Sequence, residues 1–171
     1  MEHKFEVKIL TDKSKIPAIQ ESRRLAWQNS DRAILLQDDN FVKWIWDDRE
    51  DDIFFVIEHN DLVAASGRIR MLNDLENLRE EYKSWNLPDD RPFGDYERVS
   101  VHPDYRGLGL VYLLDDFILK YVAENKIPFI IGEFIPPRDK TALRLGYRLL
   151  GILPEIYPAL TYEAVACIYI V

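Results

Sequence analysis

The sequence predicts an α/β protein (an α+β mixed sheet flanked by helices), with one parallel crossover set between two hairpins. Three observations predict it. Leu110, Leu113, Leu114, Phe117, Ile118, Tyr121 and Val122 recur at the i, i+3, i+4, i+7, i+8 spacing of a helix over residues 110–124. That helix stands between two strand-like segments, 93–101 and the apolar run 128–134. A strand, helix and strand in that order make a parallel pair with a right-handed crossover. Finally, the apolar runs 52–58 and 62–72 are separated by the turn residues His59-Asn60-Asp61, which predicts a hairpin.

The other elements follow in chain order. Residues 5–10 alternate in polarity and predict a first strand. Thr11 or Asp12 is placed to cap the next helix, 16–28, where Ile16, Ile19, Arg23 and Ala26 share one stripe. The stem of Arg23 suits that stripe as a cover for apolar surface. Residues 29–40 look irregular, and 41–48 predict a short helix with Phe41, Trp44 and Ile45 on one side. Residues 73–92 are polar and charged, a partly helical excursion. Asn125 is a suitable left-handed stop for the long helix. Residues 138–145 read as a short helix ending at Gly146, followed by closing strands at 147–152 and 160–171. No repeat, low-complexity tract or linker interrupts the chain, so one domain over residues 1–171 is expected.

Composition narrows the function. Of the 171 residues, 47% are apolar and 12% aromatic, a globular composition. No apolar run approaches the roughly 20 residues of a membrane helix. The first residues lack a signal-peptide core, so a cytoplasmic location and no membrane partner are expected. The net charge of −8 repels phosphate backbones and argues against nucleic acid as partner. An anionic ligand therefore needs a local cluster of donors. The single cysteine, Cys167, lies among apolar neighbours and reads as a core thiol. His3 and His59 have no metal-ligand spacing, and no metal is expected.

The informative stretch joins the fourth strand to the long helix: Val99-Ser100-Val101-His102-Pro103-Asp104-Tyr105-Arg106-Gly107-Leu108-Gly109-Leu110-Val111. The first amides of a helix lack internal acceptors, and the helix dipole is positive there. Glycines let such amides turn toward a phosphate, and Arg106 adds a permanent charge. The segment is a diphosphate cradle in the making. It lacks the third glycine of a dinucleotide fingerprint and the Gly-Lys-Ser/Thr of a nucleoside triphosphate loop.

Arg106-Gly107-Leu108-Gly109-Leu110-Val111 resembles the R/Q-x-x-G-x-G/A signature of the GNAT acetyltransferase superfamily. Val101-His102-Pro103-Asp104-Tyr105 is similar to its V-x-P lead-in, and Leu145-Gly146-Tyr147 to its L-G-F/Y motif. The clear resemblance covers residues 93–152. It implies a sheet splayed between its fourth and fifth strands, with coenzyme A, as acetyl-CoA, for the cosubstrate. It also implies that Val99, Ser100 and Val101 bond the pantetheine arm, and that amides of Arg106, Gly107, Leu108, Gly109, Leu110 and Val111 hold the pyrophosphate. Val111 departs from the Gly or Ala usual at its place. Ala142 falls where many relatives carry a tyrosine acid.

Acylation of an amine needs a base for the amine, an oxyanion donor and a proton for the thiolate. Asp95 and Glu97, two residues apart on the fourth strand, are the candidate bases. The competing reading pairs them with Arg98, Arg68 or Arg70. A family bulge would split them. Tyr147 is a candidate acid, against its reading as a core aromatic. Tyr105 reads as a surface loop residue and His102 as a solvated one. Trp44 and Trp46 are candidates to line an acceptor pocket. The expected reaction is N-acetyl transfer to a small amine, an amino-acid-like acceptor or a protein amine. Alternatives are longer acyl groups on coenzyme A or acyl carrier protein, and a non-catalytic acyl-CoA binder. The 95–101 segment is loosely similar to that strand of N-acyl amino acid and homoserine lactone synthases. The last strand is free to pair across a homodimer.

Overall fold

The computed structural model describes residues 5–154 and 163–171. Among them the strands are β1 (Val7–Ile9), β2 (Ile53–His59), β3 (Leu62–Leu72), β4 (Phe93–Val101), β5 (Phe129–Phe134), β6 (Arg148–Leu153) and β7 (Ala164–Ile170). The α-helices are α1 (Ile16–Gln28), α2 (Asp39–Ile45), α3 (Glu80–Ser84), α4 (Leu110–Glu124) and α5 (Arg138–Arg144). The sheet is mixed, with hydrogen-bonded order β1-β2-β3-β4-β5-β7-β6. β4 and β5 are parallel, and β1–β2, β2–β3, β5–β7 and β6–β7 are antiparallel.

Local chemistry explains the elements that matter here. Asn60 and Asp61 both adopt positive φ, at 49° and 63°, between the paired residues His59 and Leu62. A two-residue hairpin turn of the right twist needs that conformation at both positions, and Asn and Asp tolerate it. Asp12 caps a short 3-10 turn, Lys13–Lys15, by accepting from Ser14 N at 3.1 Å. It does not cap α1 itself, which begins at Ile16 with a proline in its first turn. The left-handed residue after α4 is Lys126 (φ 54°) rather than Asn125, whose side chain instead donates to Tyr121 O at 2.9 Å. The closing strand is described from Ala164; the expected strand residues 160–162 lie outside the described residues. β7 bonds to β5 on one edge and β6 on the other, so it has no edge left for a dimer partner.

Two compact units emerge. The first gathers the described residues up to Ile69 with Arg98–Leu119. Its apolar core holds Leu10, Ile19, Phe54, Val56 and Val63. Side chains such as Ile19 and Phe54, with no exposed surface, contribute about 1.5–3 kcal/mol each. The second unit gathers Arg70–Glu97 with the described part of Lys120–Val171. Its core holds Tyr82, Phe93, Phe129, Ile131, Leu153, Ala166 and Ile168, with Phe93 and Phe129 stacked at 4.7 Å.

Beside the first core lies a buried ionic network. Arg23 donates to Asp48 Oδ2 at 2.9 Å and to Ile45 O at 2.7 Å. Arg68 donates to Asp52 Oδ2 at 2.8 Å, Asp48 Oδ1 at 3.1 Å and Asp47 O at 2.6 Å. Arg98 donates to Asp47 O at 2.7 Å and to Trp44 O, 3.5 Å from Asp48 Oδ1. Gln20 adds a bond to Asp48 Oδ2 at 3.0 Å. All five charged side chains are at most 1% exposed. Arg23 is thus an ion-pair residue rather than a cover for apolar surface.

Burial opposes the charge on Asp48, but the Arg23 charge and hydrogen bond, with Gln20 and Arg68, hold its carboxyl below the usual range. A folded pKa below the unfolded one stabilises the protein above about pH 3.9, and that contribution is lost as pH falls through the folded value. Asp48→Ala leaves three buried guanidiniums short of a shared carboxylate. It is expected to cost about 3–5 kcal/mol, read as a lower urea midpoint at pH 7. The gap between variant and parent is expected to narrow at pH 3; a gap that is unchanged there would contradict the assignment.

Candidate functional site

The glycine turn sits where the sequence places it, between β4 and α4. Gly107 and Gly109 hold φ of +78° and +74°, the left-handed region that costs an L side chain about 1–2 kcal/mol. A Cβ on Gly107 would meet nothing within 4 Å, and one on Gly109 only Tyr112 Cδ2 at 3.9 Å. Conformation, not crowding, demands glycine at both. α4 starts immediately after at Leu110, so its unpaired first amides and positive dipole end follow the turn. Gly107, Leu108 and Gly109 are exposed, Leu110 is buried and Val111 is half-buried.

Arg106 behaves differently from the expected phosphate donor. Its guanidinium fork donates to Asn29 O at 2.6 Å and Ala26 O at 2.7 Å, two carbonyls at the end of α1. A cation at a helix C-terminus satisfies orphan carbonyls and complements the dipole. The side chain therefore anchors the cradle turn to α1. Next to it lies a cavity of about 180 Å3 lined by Ala26, Trp27, Ser30, Arg32, Val99, Ser100, Val101 and Arg106. Four sequence-predicted residues thus meet in one wall: Val99, Ser100, Val101 and Arg106. Ser100 Oγ pairs with Ser66 Oγ at 3.1 Å.

Trp27 lines this cavity. Trp44 is 44% exposed and lies under the Arg98 guanidinium, 4.9 Å from ring centroid to Cζ. His102 is buried rather than solvated, because its Nδ1 accepts from Asp104 N at 3.3 Å and caps the 3-10 turn Pro103–Tyr105. Tyr105 is packed rather than superficial, with its hydroxyl 3.1 Å from His59 Nδ1 and its ring against Phe5 and His59.

In the second unit, β4 and β5 pair over only three positions: Gly94 with Ile130, Asp95 with Ile131, Tyr96 with Gly132. Gly132 closes this ladder, where a Cβ would fall 3.1 Å from Tyr96 O and 3.0 Å from Phe134 Cε2. The next residues on the two strands are Glu97 and Glu133. Asp95 and Glu97 stay on one half-exposed face, since the left-handed residue of β4 is Arg98 (φ 57°), beyond both. The described bonds of Arg68 and Arg98 go to Asp48, Asp52 and the carbonyls of Trp44 and Asp47.

Sequence reading missed Glu133 and Tyr82. Partial desolvation raises Glu133 above the usual carboxylate range, and Glu97 and Glu81 push the same way against Arg79 and a bond from the Tyr82 hydroxyl. Its side chain is 41% exposed and lies 3.9 Å from Arg79 Nη1, so solvent screens the neighbouring charges in part. Burial, then Glu133 and Asp95, push the Tyr82 phenol upward, so Tyr82 stays a donor. Glu133 is the one charged and exposed residue of the otherwise buried β5, a signal present in the sequence; the approach of α3 is not. Tyr147 is 5% exposed and packs between Phe134 and Tyr169, and Ala142 is buried. Cys167 is buried and its thiol is pushed up to about 11 by that burial, then by Asp139, which suits a core thiol. Among the described residues no cluster of His, Cys, Asp or Glu is arranged to hold a metal, and no helix is long and apolar enough to cross a membrane.

A mixed sheet with a short parallel β4–β5 ladder and a glycine cradle before a long helix defines the class: GNAT acetyltransferases. A model described as Acetyltransferase (GNAT) family matches residues 16–151, and the chain belongs to that family. No curated protein gives a significant match. Among solved structures it is similar to FeeM, an N-acyl amino acid synthase from uncultured soil microbes, with TM-score 0.69, 15% identity, and 98% of this chain and 91% of that one covered. It is also similar to Arabidopsis thaliana NAA60 in complex with acetyl-CoA (0.67, 12%, 98% and 99%). A third is the ribosomal-protein-S18-alanine N-acetyltransferase of Escherichia coli (0.65, 14%, 98% and 94%). At these identities the likeness establishes the fold alone.

Gly109→Ala keeps the space but forces an L residue to φ near +74°. The expected cost is about 1–2 kcal/mol, measured as a lower thermal midpoint, whereas the same change at a helical surface position is neutral or stabilising.

Proposed function

We propose that the protein is an N-acyltransferase that moves an acyl group, most simply acetyl, from acetyl-CoA to an amine by direct attack. The observation that carries this reading is the cradle: two left-handed glycines opening onto α4, beside a cavity walled by Val99, Ser100, Val101 and Arg106. Backbone amides of Gly107, Leu108, Gly109, Leu110 and Val111 would hold the donor's diphosphate, and Val99–Val101 backbone its pantetheine arm. Fixed amides at a helix start suit diphosphate even in an acidic protein, because they act at contact distance.

In this reading the acceptor arrives as an ammonium ion and gives a proton to a carboxylate. Asp95 and Glu97 are the bases, and Glu133 stands with Glu97 where the β4–β5 ladder ends. The amine lone pair then attacks the thioester carbonyl. The new C–N bond forms, the C–S bond breaks, and the thiolate leaves with a proton. No covalent enzyme intermediate is needed. With Ala142 buried and Tyr147 in the core, the proton for the thiolate comes from a protonated carboxyl or water, and Tyr147 is the weaker candidate.

A second reading, transfer of longer acyl groups to an amino-acid-like acceptor, draws on the similarity to an N-acyl amino acid synthase. Donors on coenzyme A and on acyl carrier protein separate the two. A non-catalytic acyl-CoA binder would bind without turnover.

Calorimetry with acetyl-CoA and free coenzyme A is the first test. Saturable binding is expected, and Arg106→Ala should weaken it at least about tenfold by releasing the cradle turn from α1. No binding of either ligand overturns the acetyl-CoA reading. With an amine panel and a thiol-release readout, Glu97→Gln is expected to lower kcat/KM about 10²-fold or more while leaving coenzyme A affinity in place. Because burial, with Glu97 and Glu81 pushing the same way, keeps Glu133 above the usual range, Glu97→Gln should also move the acid limb of the pH–rate profile to lower pH.

A further inference from the structure

The cavity beside Val99–Val101 has a charge that the rest of the chain does not lead one to expect. The protein carries a net charge of −8, yet no Asp or Glu lines this cavity, and two arginines do. Three polar side chains hold the wall together. Arg106 binds the two α1 carbonyls, Ser100 pairs with Ser66, and Ser30 Oγ donates to Trp27 O at 2.7 Å. Ser30 Oγ also accepts from Arg32 N at 3.2 Å, so a local turn sets the place of Arg32. The Arg106 bonds reach Asn29 and Ala26, and so tie the segment carrying Arg32 directly to the cradle turn.

Arg32 itself is 27% exposed at its side chain. Its Nε lies 3.8 Å from Asp31 Oδ1, and Asp31 is 80% exposed. Burial lowers its pKa, with Asp31 opposing, but a guanidinium remains charged throughout the physiological range. Five N–H donors in a planar fork allow it to take an anion in addition to its protein contacts. A partly desolvated cation holds an anion more strongly than an exposed one, because solvent screens it less.

We propose that Arg32 is a donor-binding residue, taking a phosphate oxygen of the acyl donor in this cavity. This rests on the acyl-CoA reading above. A phosphate of the donor, rather than a carboxylate of the acceptor, is favoured because the wall shared by Arg32 is formed by the cradle's Arg106 and the Val99–Val101 strand segment. The proposal adds a contact from the α1–α2 connection to those expected from the motif. It also supplies a second charge beside Arg106, whose fork binds the end of α1.

The test is calorimetry of coenzyme A and 3′-dephospho-coenzyme A on the whole protein, at low and high salt, for the parent, Arg32→Ala and Arg32→Lys. Thermal midpoints confirm that the variants fold. Arg32→Ala is expected to raise the Kd for coenzyme A at least about tenfold at low salt and to flatten its salt dependence. Arg32→Lys, which keeps the charge without the fork, should recover the salt dependence and part of the affinity. An equal loss for both ligands supports a diphosphate contact; a loss confined to coenzyme A supports a contact to the 3′-phosphate. A Kd within twofold of the parent overturns the proposal, as it would if Arg32 served an acceptor carboxylate. So does a weakened Kd with unchanged salt dependence, which would mark a merely structural role. Failure of the parent to bind either ligand overturns the acyl-CoA reading itself, and is seen before any variant is compared.

Discussion

The first compact unit depends on Asp48. One carboxylate, wholly buried, is shared by Arg23 from α1, Arg68 from β3 and Arg98 from β4. Each guanidinium also takes a carbonyl near the end of α2, from Trp44, Ile45 or Asp47. Two helices and two strands are thus bound at one point by charge-assisted bonds with fixed direction. Apolar packing tolerates small slides between elements; a fork of donors does not. The network also accounts for a strained residue. Arg98 holds a left-handed φ in the middle of a strand, a conformation that persists only where the surroundings over-determine it. Its bonds to two carbonyls and its place beside Asp48 and over Trp44 are those surroundings.

In the proposed site the ligand chemistry rests on backbone more than on side chains. Gly107 and Gly109 shape the turn, α4 supplies amides and dipole, and Arg106 stiffens the assembly by capping α1. This division suits an acidic protein. A cluster of lysines would have to compete with a net charge of −8, whereas oriented amides carry no net charge and act only at short range. In the second unit the short β4–β5 ladder has a comparable economy. Three paired positions fix the strands, and a glycine keeps them close at the last one. The two strands then part with a glutamate on each.

Much of the architecture was legible in sequence because it is written in local patterns. The spans of α1, α4, β3 and β4 coincide with the expected ones. Periodicity over fifteen residues marks α4, and Asn60-Asp61 marks the hairpin turn by its tolerance of positive φ. The glycine turn was equally legible, since Gly107 and Gly109 are required by conformation alone. The misses have a common cause. Arg23 in an apolar stripe looked like a snorkelling stem, because its partners Asp48 and Ile45 lie more than twenty residues away. His102 looked solvated because a cap on its own next turn is invisible to polarity.

By itself, the sequence determined the order of strands and helices, the left-handed glycine turn before α4, and membership of a family whose motif is contiguous. Those properties depend on residues within a turn or two of one another, where spacing and backbone preference act directly. Only the tertiary structure decided which charges are buried together, that Arg106 binds a helix end, that Arg32 shares its cavity, and that Glu133 meets Glu97 and Tyr82. These are long-range pairings. The free energy of a charge depends on what surrounds it, and the surroundings of Asp48 or Glu133 are assembled only when distant segments pack.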